Sequence, residues 1–247
     1  MTTWKPLLSV LFLVGSAAPT AAQDPRPLYD ARLSPSVVKL SAAEDALLDR
    51  EVRPAARQVW KGTEGCADEF SVMDAAAGSF TRPKAQQKAF LYRFCTTGHG
   101  FGGSGLAVVE DGKIVAHLAY DGASDFALGG VRDLDGDGRS EILLAGGGTY
   151  QGSTVTSVTI LGFIGSPASG VKNFGRFDVY EDDCGGENDL HTVTATRISA
   201  QPGAHPVFFR ETFTKDGCHG SRWQIKGARE TVSPAKDETV YRPISKR

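Results

Sequence analysis

The chain is poor in several features that would have named a function class. It has 27 Lys and Arg against 29 Asp and Glu, a formal charge of −2, and no basic run or stripe. A nucleic-acid surface needs clustered cations to meet phosphate, so nucleic-acid binding is not expected. Its four cysteines, Cys66, Cys95, Cys184 and Cys218, form no C-x-x-C pair, and Cys218-His219 is adjacent rather than spaced. That pattern lacks the close ligand pairs of a zinc site. No apolar run after Gln23 is long enough to span a bilayer. Catalytic signatures are missing as well: Ser104 lacks the flanking glycine of a nucleophile elbow, because Leu106 lies two places on.

The first 22 residues read as a secretory signal. Lys5 provides a positive start and Leu7 to Val14 an apolar core. Ala17-Ala18-Pro19-Thr20-Ala21-Ala22 then offers small residues for cleavage before Gln23. The alternative, an uncleaved anchor, asks for roughly 18 apolar residues, more than this core supplies. No cysteine sits near the cut for lipid attachment. A secreted or periplasmic location follows, without a membrane span once the signal is gone. An even cysteine count in an exported chain then implies disulfides, of which three connectivities are possible. Cys66–Cys95 with Cys184–Cys218 keeps each bridge within one half of the chain and is the favoured set.

The remainder divides into a Pro-rich leader arm and helix over 23–62 and a β-rich domain over 63–247. Ser41 and Glu44 make a capping box, and Leu48, Val52 and Val59 give an apolar stripe. Pro54 must kink or split this helix for want of an amide, and Gly62 ends it. Beyond residue 70 short alternating segments and 29 glycines indicate strands and tight turns. Strands are expected at 70–81, 88–95, 106–110, 114–120, 126–131, 142–145, 154–163, 174–180, 192–198, 207–214 and 222–226. Asp111-Gly112 marks a two-residue hairpin. The expected fold class is mainly β, an antiparallel sandwich or open blade-like sheets with a short N-terminal helical segment.

The most informative segment is Asp133-Leu134-Asp135-Gly136-Asp137-Gly138-Arg139-Ser140-Glu141. Carboxylates at every second residue in a tight loop turn toward one point, where their mutual repulsion calls for a cation. Calcium accepts six to eight oxygens in irregular geometry. Gly138 permits the turn that aims the Arg139 carbonyl inward, and Glu141 closes the set. The expected metal ligands are therefore Asp133, Asp135, Asp137, Arg139 and Glu141, with calcium as the cofactor. An EF-hand would need a carboxylate at the twelfth position, which is Leu144, and flanking helices where strands are expected. A solvated Asp/Gly turn without metal is the plainer alternative.

With its flanks, Phe126 through Gly148 resembles one FG-GAP or VCBS-type repeat, the calcium-loop motif of integrin α-subunit propellers and many bacterial surface proteins. The resemblance covers about 25 residues. It implies calcium ligation by Asp133, Asp135, Asp137 and the Arg139 carbonyl; Glu141 replaces the commoner Asp. The acidic stretch Asp182 to Asp189 has the wrong spacing for a second copy. The strands counted are too few for a closed propeller of four-stranded blades.

Two further features carry weaker expectations. Gly100-Phe101-Gly102-Gly103-Ser104-Gly105 satisfies G-x-G-x-x-G, but it runs into a strand rather than a helix and reads as a close-packed loop. His99 beside it is the best candidate acid or base, yet no partner is identifiable, so no catalytic residue and no cofactor-binding residue other than the metal ligands is assigned. His117 is expected to be a solvated strand residue. His191, His205 and His219 are expected on the surface. Three functions remain open: a calcium-stabilised binding module for an unknown protein or glycan ligand, an exported hydrolase with structural calcium and a cleft near His99 and Asp121, or a structural envelope protein.

Overall fold

A computed structural model describes residues 24–33, 40–64, 66, 69–96, 102–165, 170–185, 191–215 and 217–244. The expected signal segment, the cleavage site before Gln23 and His99 lie outside these residues.

The chain folds into antiparallel sheets with one helical segment, as its alternation and glycine content imply. Helix α1 (Ala42–Leu47) starts from the expected cap. The Ser41 amide donates to Glu44 Oε2 at 2.8 Å and the Glu44 amide donates to Ser41 Oγ at 3.3 Å. The helical segment is divided ahead of Pro54, as expected. The turn before it, Leu48–Val52, widens to a π-helical turn, and α2 (Arg53–Val59) follows with the proline in its first turn, where no amide is required. Leu47, Leu48, Val52, Ala56 and Trp60 form the buried face.

That face covers a five-stranded sheet built from β2 (Phe70–Gly78), β3 (Gln87–Thr96), β4 (Gly102–Glu110) and β5 (Lys113–Asp121), with β14 (Arg242–Pro243) on the outer edge of β5. The β4–β5 turn has φ of +49° at Asp111 and +70° at Gly112, the two-residue geometry expected there. A longer sheet runs β6 (Asp125–Val131), β7 (Glu141–Tyr150), β8 (Ser153–Phe163), β9 (Val171–Asp182), β10 (Val193–Gln201), β11 (Val207–Lys215) and β12 (Trp223–Ile225). Two short strands join it, β1 (Arg26–Asp30) on β10 and β13 (Glu230–Val232) on β11. Part of the expected leader arm is thus a paired strand.

Each sheet is apolar on both faces. Leu91, Leu106 and Leu118 of the five-stranded sheet meet Leu128, Ile142, Leu144 and Leu161 of the long sheet in a central core. Phe90, Tyr92 and Phe94 pack on the helical segment. On the far side of β7, Leu143 and Ala145 share a third core with Ile198, Ala200 and Phe208, so the long sheet curls back over its own first half. The architecture is a two-sheet sandwich with a helical cover.

Gly102 to Gly105 is the start of β4 and not a loop. A Cβ on Gly103 would stand 2.1 Å from Trp60 Cε2, and one on Gly105 would stand 2.2 Å from Tyr92 Oη. These glycines let two aromatic side chains rest against the strand backbone. Disulfides join Cys66 to Cys95 and Cys184 to Cys218, with Cα–Cα distances of 4.9 and 5.6 Å. Among the described residues no helix is long and apolar enough to cross a membrane.

Candidate metal centre

The acidic loop joins β6 to β7, whose pairing closes with Val131 opposite Glu141. Both ends of the loop are therefore fixed by the ladder, and its interior is tied down by its own aspartates. Asp133 accepts the Gly136 amide at 2.7 Å and the Gly138 amide at 2.9 Å. Gly136 and Gly138 have φ of +84° and +83°, values that residues with a Cβ rarely adopt. Asp137 accepts the Arg139 amide at 2.8 Å. Leu134 points the other way, 1 % exposed, into the core of the long sheet. Its carbonyl accepts the Gly203 amide at 2.8 Å, which pins the loop to the β10–β11 turn.

This scaffold brings a carboxylate oxygen from each of Asp133, Asp135, Asp137 and Glu141 to within 4.8 Å of the others. A cavity of about 140 Å³ lies beside them, lined also by Gly162, Phe163 and Lys172. That is room for an ion and a few waters, since each water takes about 30 Å³. The donors are all oxygen, which suits a hard cation.

The electrostatics ask for one. Glu141 is 2 % exposed. Burial, with the Asp135 and Asp133 carboxylates nearby, pushes its carboxyl up to about 8, against the Leu134 amide that donates to it at 2.9 Å and a weaker contribution from its own amide. Two side-chain cations partly offset the cluster. Lys172 Nζ stands 2.9 Å from Asp135 Oδ2, and the Arg139 guanidinium pairs with Asp137. Burial acts to raise the Asp137 carboxyl, but the Arg139 hydrogen bonds and charge outweigh it and hold the group low. With Glu141 ionised, four carboxylates against the two cations would leave a deficit equal to the charge of one divalent ion.

The four acidic residues expected from the sequence thus converge. Arg139, expected to offer its carbonyl, contributes a side chain that clasps Asp137 and donates to the Gly165 carbonyl at 3.2 Å. Glu141, which stands where the resemblance expects the commoner Asp, is the most buried of the four. Lys172 was not foreseeable: it lies on β9, and no local signal connects it to the loop.

The remaining candidates separate. Asp121 is exposed and pairs with Arg242 at 2.6 Å. His117 is half-buried rather than freely solvated. A bulge between Val108 and Val109 shifts the alternation of β5, so Ile114 faces the helical cover, whereas Leu118 and Tyr120 face the central core. His117 Nε2 lies 2.8 Å from the Tyr92 hydroxyl, and burial lowers its pKa to about 4. His191, His205 and His219 are exposed, as expected. Asp182 and Asp183 serve turns: Asp182 accepts the Cys184 amide and Asp183 the Ser153 hydroxyl.

Comparison with protein-family models, with curated proteins and with solved structures finds no match. The reading of the site therefore rests on its own geometry.

Proposed function

We propose that this protein is an extracytoplasmic, calcium-stabilised β-domain that acts as a binding module for a protein or glycan ligand. In this reading Phe126 to Gly148 is an FG-GAP-type hairpin, and the ion has a structural role. The observation that carries it is the convergence of four loop carboxylates, one of them buried, at the closed end of the β6–β7 ladder. Repulsion among these groups loosens the loop, and the loop is bonded through Leu134 to the β10–β11 turn. An ion here would hold two distant parts of the long sheet together. Two disulfides agree with an oxidising compartment.

The test is thermal unfolding of the full chain in calcium and in chelator, beside the Asp135→Asn/Asp137→Asn double variant. At a hundredfold excess of calcium over its dissociation constant the stabilisation is about 2.7 kcal/mol. For a domain of this size that corresponds to roughly 5–10 °C. The double variant should show no calcium response. Equal midpoints for the wild type in both conditions, up to millimolar calcium, would refute the metal role.

A further inference from the structure

The β6–β7 hairpin has a second polar end. Opposite the acidic loop, where Asp125 pairs with Gly146, a cleft of about 210 Å³ opens between the β5–β6 turn, the Gly146-Gly147-Gly148 run of β7, β8 and the segment 237–241. Six strand residues, or about 20 Å, separate it from the metal centre. Its volume is below the roughly 300–1,000 Å³ of sites for drug-sized ligands, so it has room for one small ring.

The glycines shape it. A Cβ on Gly146 would lie 2.1 Å from Asp125 Oδ1, so the carboxyl rests directly on the strand backbone. A Cβ on Gly148 would lie 3.2 Å from Tyr150 Oη, so the tyrosine folds back along its own strand. Tyr150 is 62 % exposed, which presents an aromatic surface at the lip. Asp125 is half-buried. Its Oδ2 accepts the Tyr120 hydroxyl at 2.7 Å, whereas no described residue donates to its Oδ1, the oxygen over Gly146. That leaves one carboxylate oxygen at the wall of the cleft without a hydrogen-bond donor among the described residues. Across the cleft Asp237 is saturated, accepting from Thr239 twice, from Asn173 and from Tyr241. Tyr120 and Tyr241 join the two halves, with ring centroids 5.0 Å apart.

The chemistry narrows the occupant. Asp121, Asp125 and Asp237 outnumber the one lining guanidinium, Arg176, which stands 3.8 Å from Asp178 and whose charge also acts on Asp125; an anion is disfavoured. A metal ion is disfavoured too, because among the described residues only the loop carboxylates converge to ligand distance, and the Asp237 oxygens are already engaged. An apolar ligand would strand the Ser124, Ser157 and Thr159 hydroxyls that line the walls. A ring with both an apolar face and several hydroxyls satisfies aromatic lip, free acceptor and hydroxyl walls together.

We propose that this cleft is a binding site for a single neutral sugar ring, stacked on Tyr150 and held through a hydroxyl that donates to Asp125. The inference deepens the binding-module reading by naming a glycan as the ligand class, and it is independent of the metal.

Calorimetric and saturation-transfer NMR titrations of the full chain in calcium test it. The probes are glucose, galactose, mannose and N-acetylglucosamine, with tetramethylammonium as a cation control. At least one sugar is expected to bind in the millimolar range, and Tyr150→Ala and Asp125→Asn should each weaken it by about tenfold or more. Tyr150 is exposed, so its removal probes the cleft without opening a core. No binding by any of the sugars, binding of tetramethylammonium alone, or sugar binding that survives both substitutions would each overturn the proposal. A calcium-dependent melt in a chain that binds no sugar would refute the cleft alone and leave the metal role standing.

Discussion

The carboxylate of Asp74 on β2 accepts the amide of Leu128 on β6 at 2.8 Å, and so bonds the five-stranded sheet to the hairpin that carries the acidic loop, across the sandwich. Its other oxygen accepts the Ala75 amide, also at 2.8 Å, beside a bulge in β2 that turns the side chain inward. Asp74 is 8 % exposed, so neither amide has ready access to water. Asp74→Ala strands two buried donors and should cost about 2–4 kcal/mol. Urea denaturation checks it; a loss under about 1 kcal/mol would show that water replaces the carboxylate.

An ion bound at the acidic loop would compete with Lys172 for Asp135. The lysine ammonium is 2.9 Å from Oδ2 and the side chain is 45 % exposed, so it can swing into solvent. An ion pair this exposed is worth about 0.5–1 kcal/mol. Lys172→Met is therefore expected to tighten calcium binding about two- to fivefold while lowering the stability of the metal-free protein. Calcium titration by calorimetry reads the first effect and a melt in chelator the second. Weaker binding in the variant would contradict the competition.

His117 makes stability depend on pH. Its folded pKa, about 4, lies below the ordinary value of 6.5 because burial disfavours the imidazolium. A depressed base contributes stability that is present above pH 6.5 and is lost as pH falls toward 4. The full shift corresponds to about 3 kcal/mol, reduced by whatever solvent reaches the ring. His117→Asn keeps a hydrogen-bonding partner for Tyr92 and removes the titration. Between pH 7 and pH 4 the wild type should lose about 2–3 kcal/mol more than the variant, measured from urea curves at both pH values.

The Cys184–Cys218 bridge ties the end of β9 to the segment after β11 and closes a separation of 34 residues. In the chain-entropy model that constraint is worth about 4 kcal/mol. The Cys184→Ser/Cys218→Ser variant should unfold at correspondingly lower denaturant, and its calcium response should persist, because neither cysteine touches the loop. Loss of the calcium response in this variant would show that the second half of the long sheet supports the metal centre.

Much of the fold was legible because it is encoded locally. Period-two alternation marked the long strands, Asp111-Gly112 marked a hairpin, and Ser41 with Glu44 marked the helix start. Each depends on residues within a few positions of one another. The short strands β1, β13 and β14 leave no mark in the sequence, since their segments carry little alternation and gain their order from the strands they join. The glycine segment at 102–105 reads as a loop in the sequence for a related reason: the side chains that require those glycines, Trp60 and Tyr92, come from the helical segment and from β3.

The candidate site divides in the same way. The aspartate spacing and the two glycines determine by themselves that residues 133–141 form a tight acidic loop, because its hydrogen bonds run between near neighbours. Only the tertiary structure decides how costly that loop is and what relieves it. It buries Glu141, brings Lys172 from β9, and bonds Leu134 to the β10–β11 turn. It also sets a polar cleft at the far end of the same hairpin, from residues as distant as Asp125 and Asp237. Spacing along the chain fixes which groups meet when turns are short; a single bulge or a curled sheet reassigns every longer-range partner.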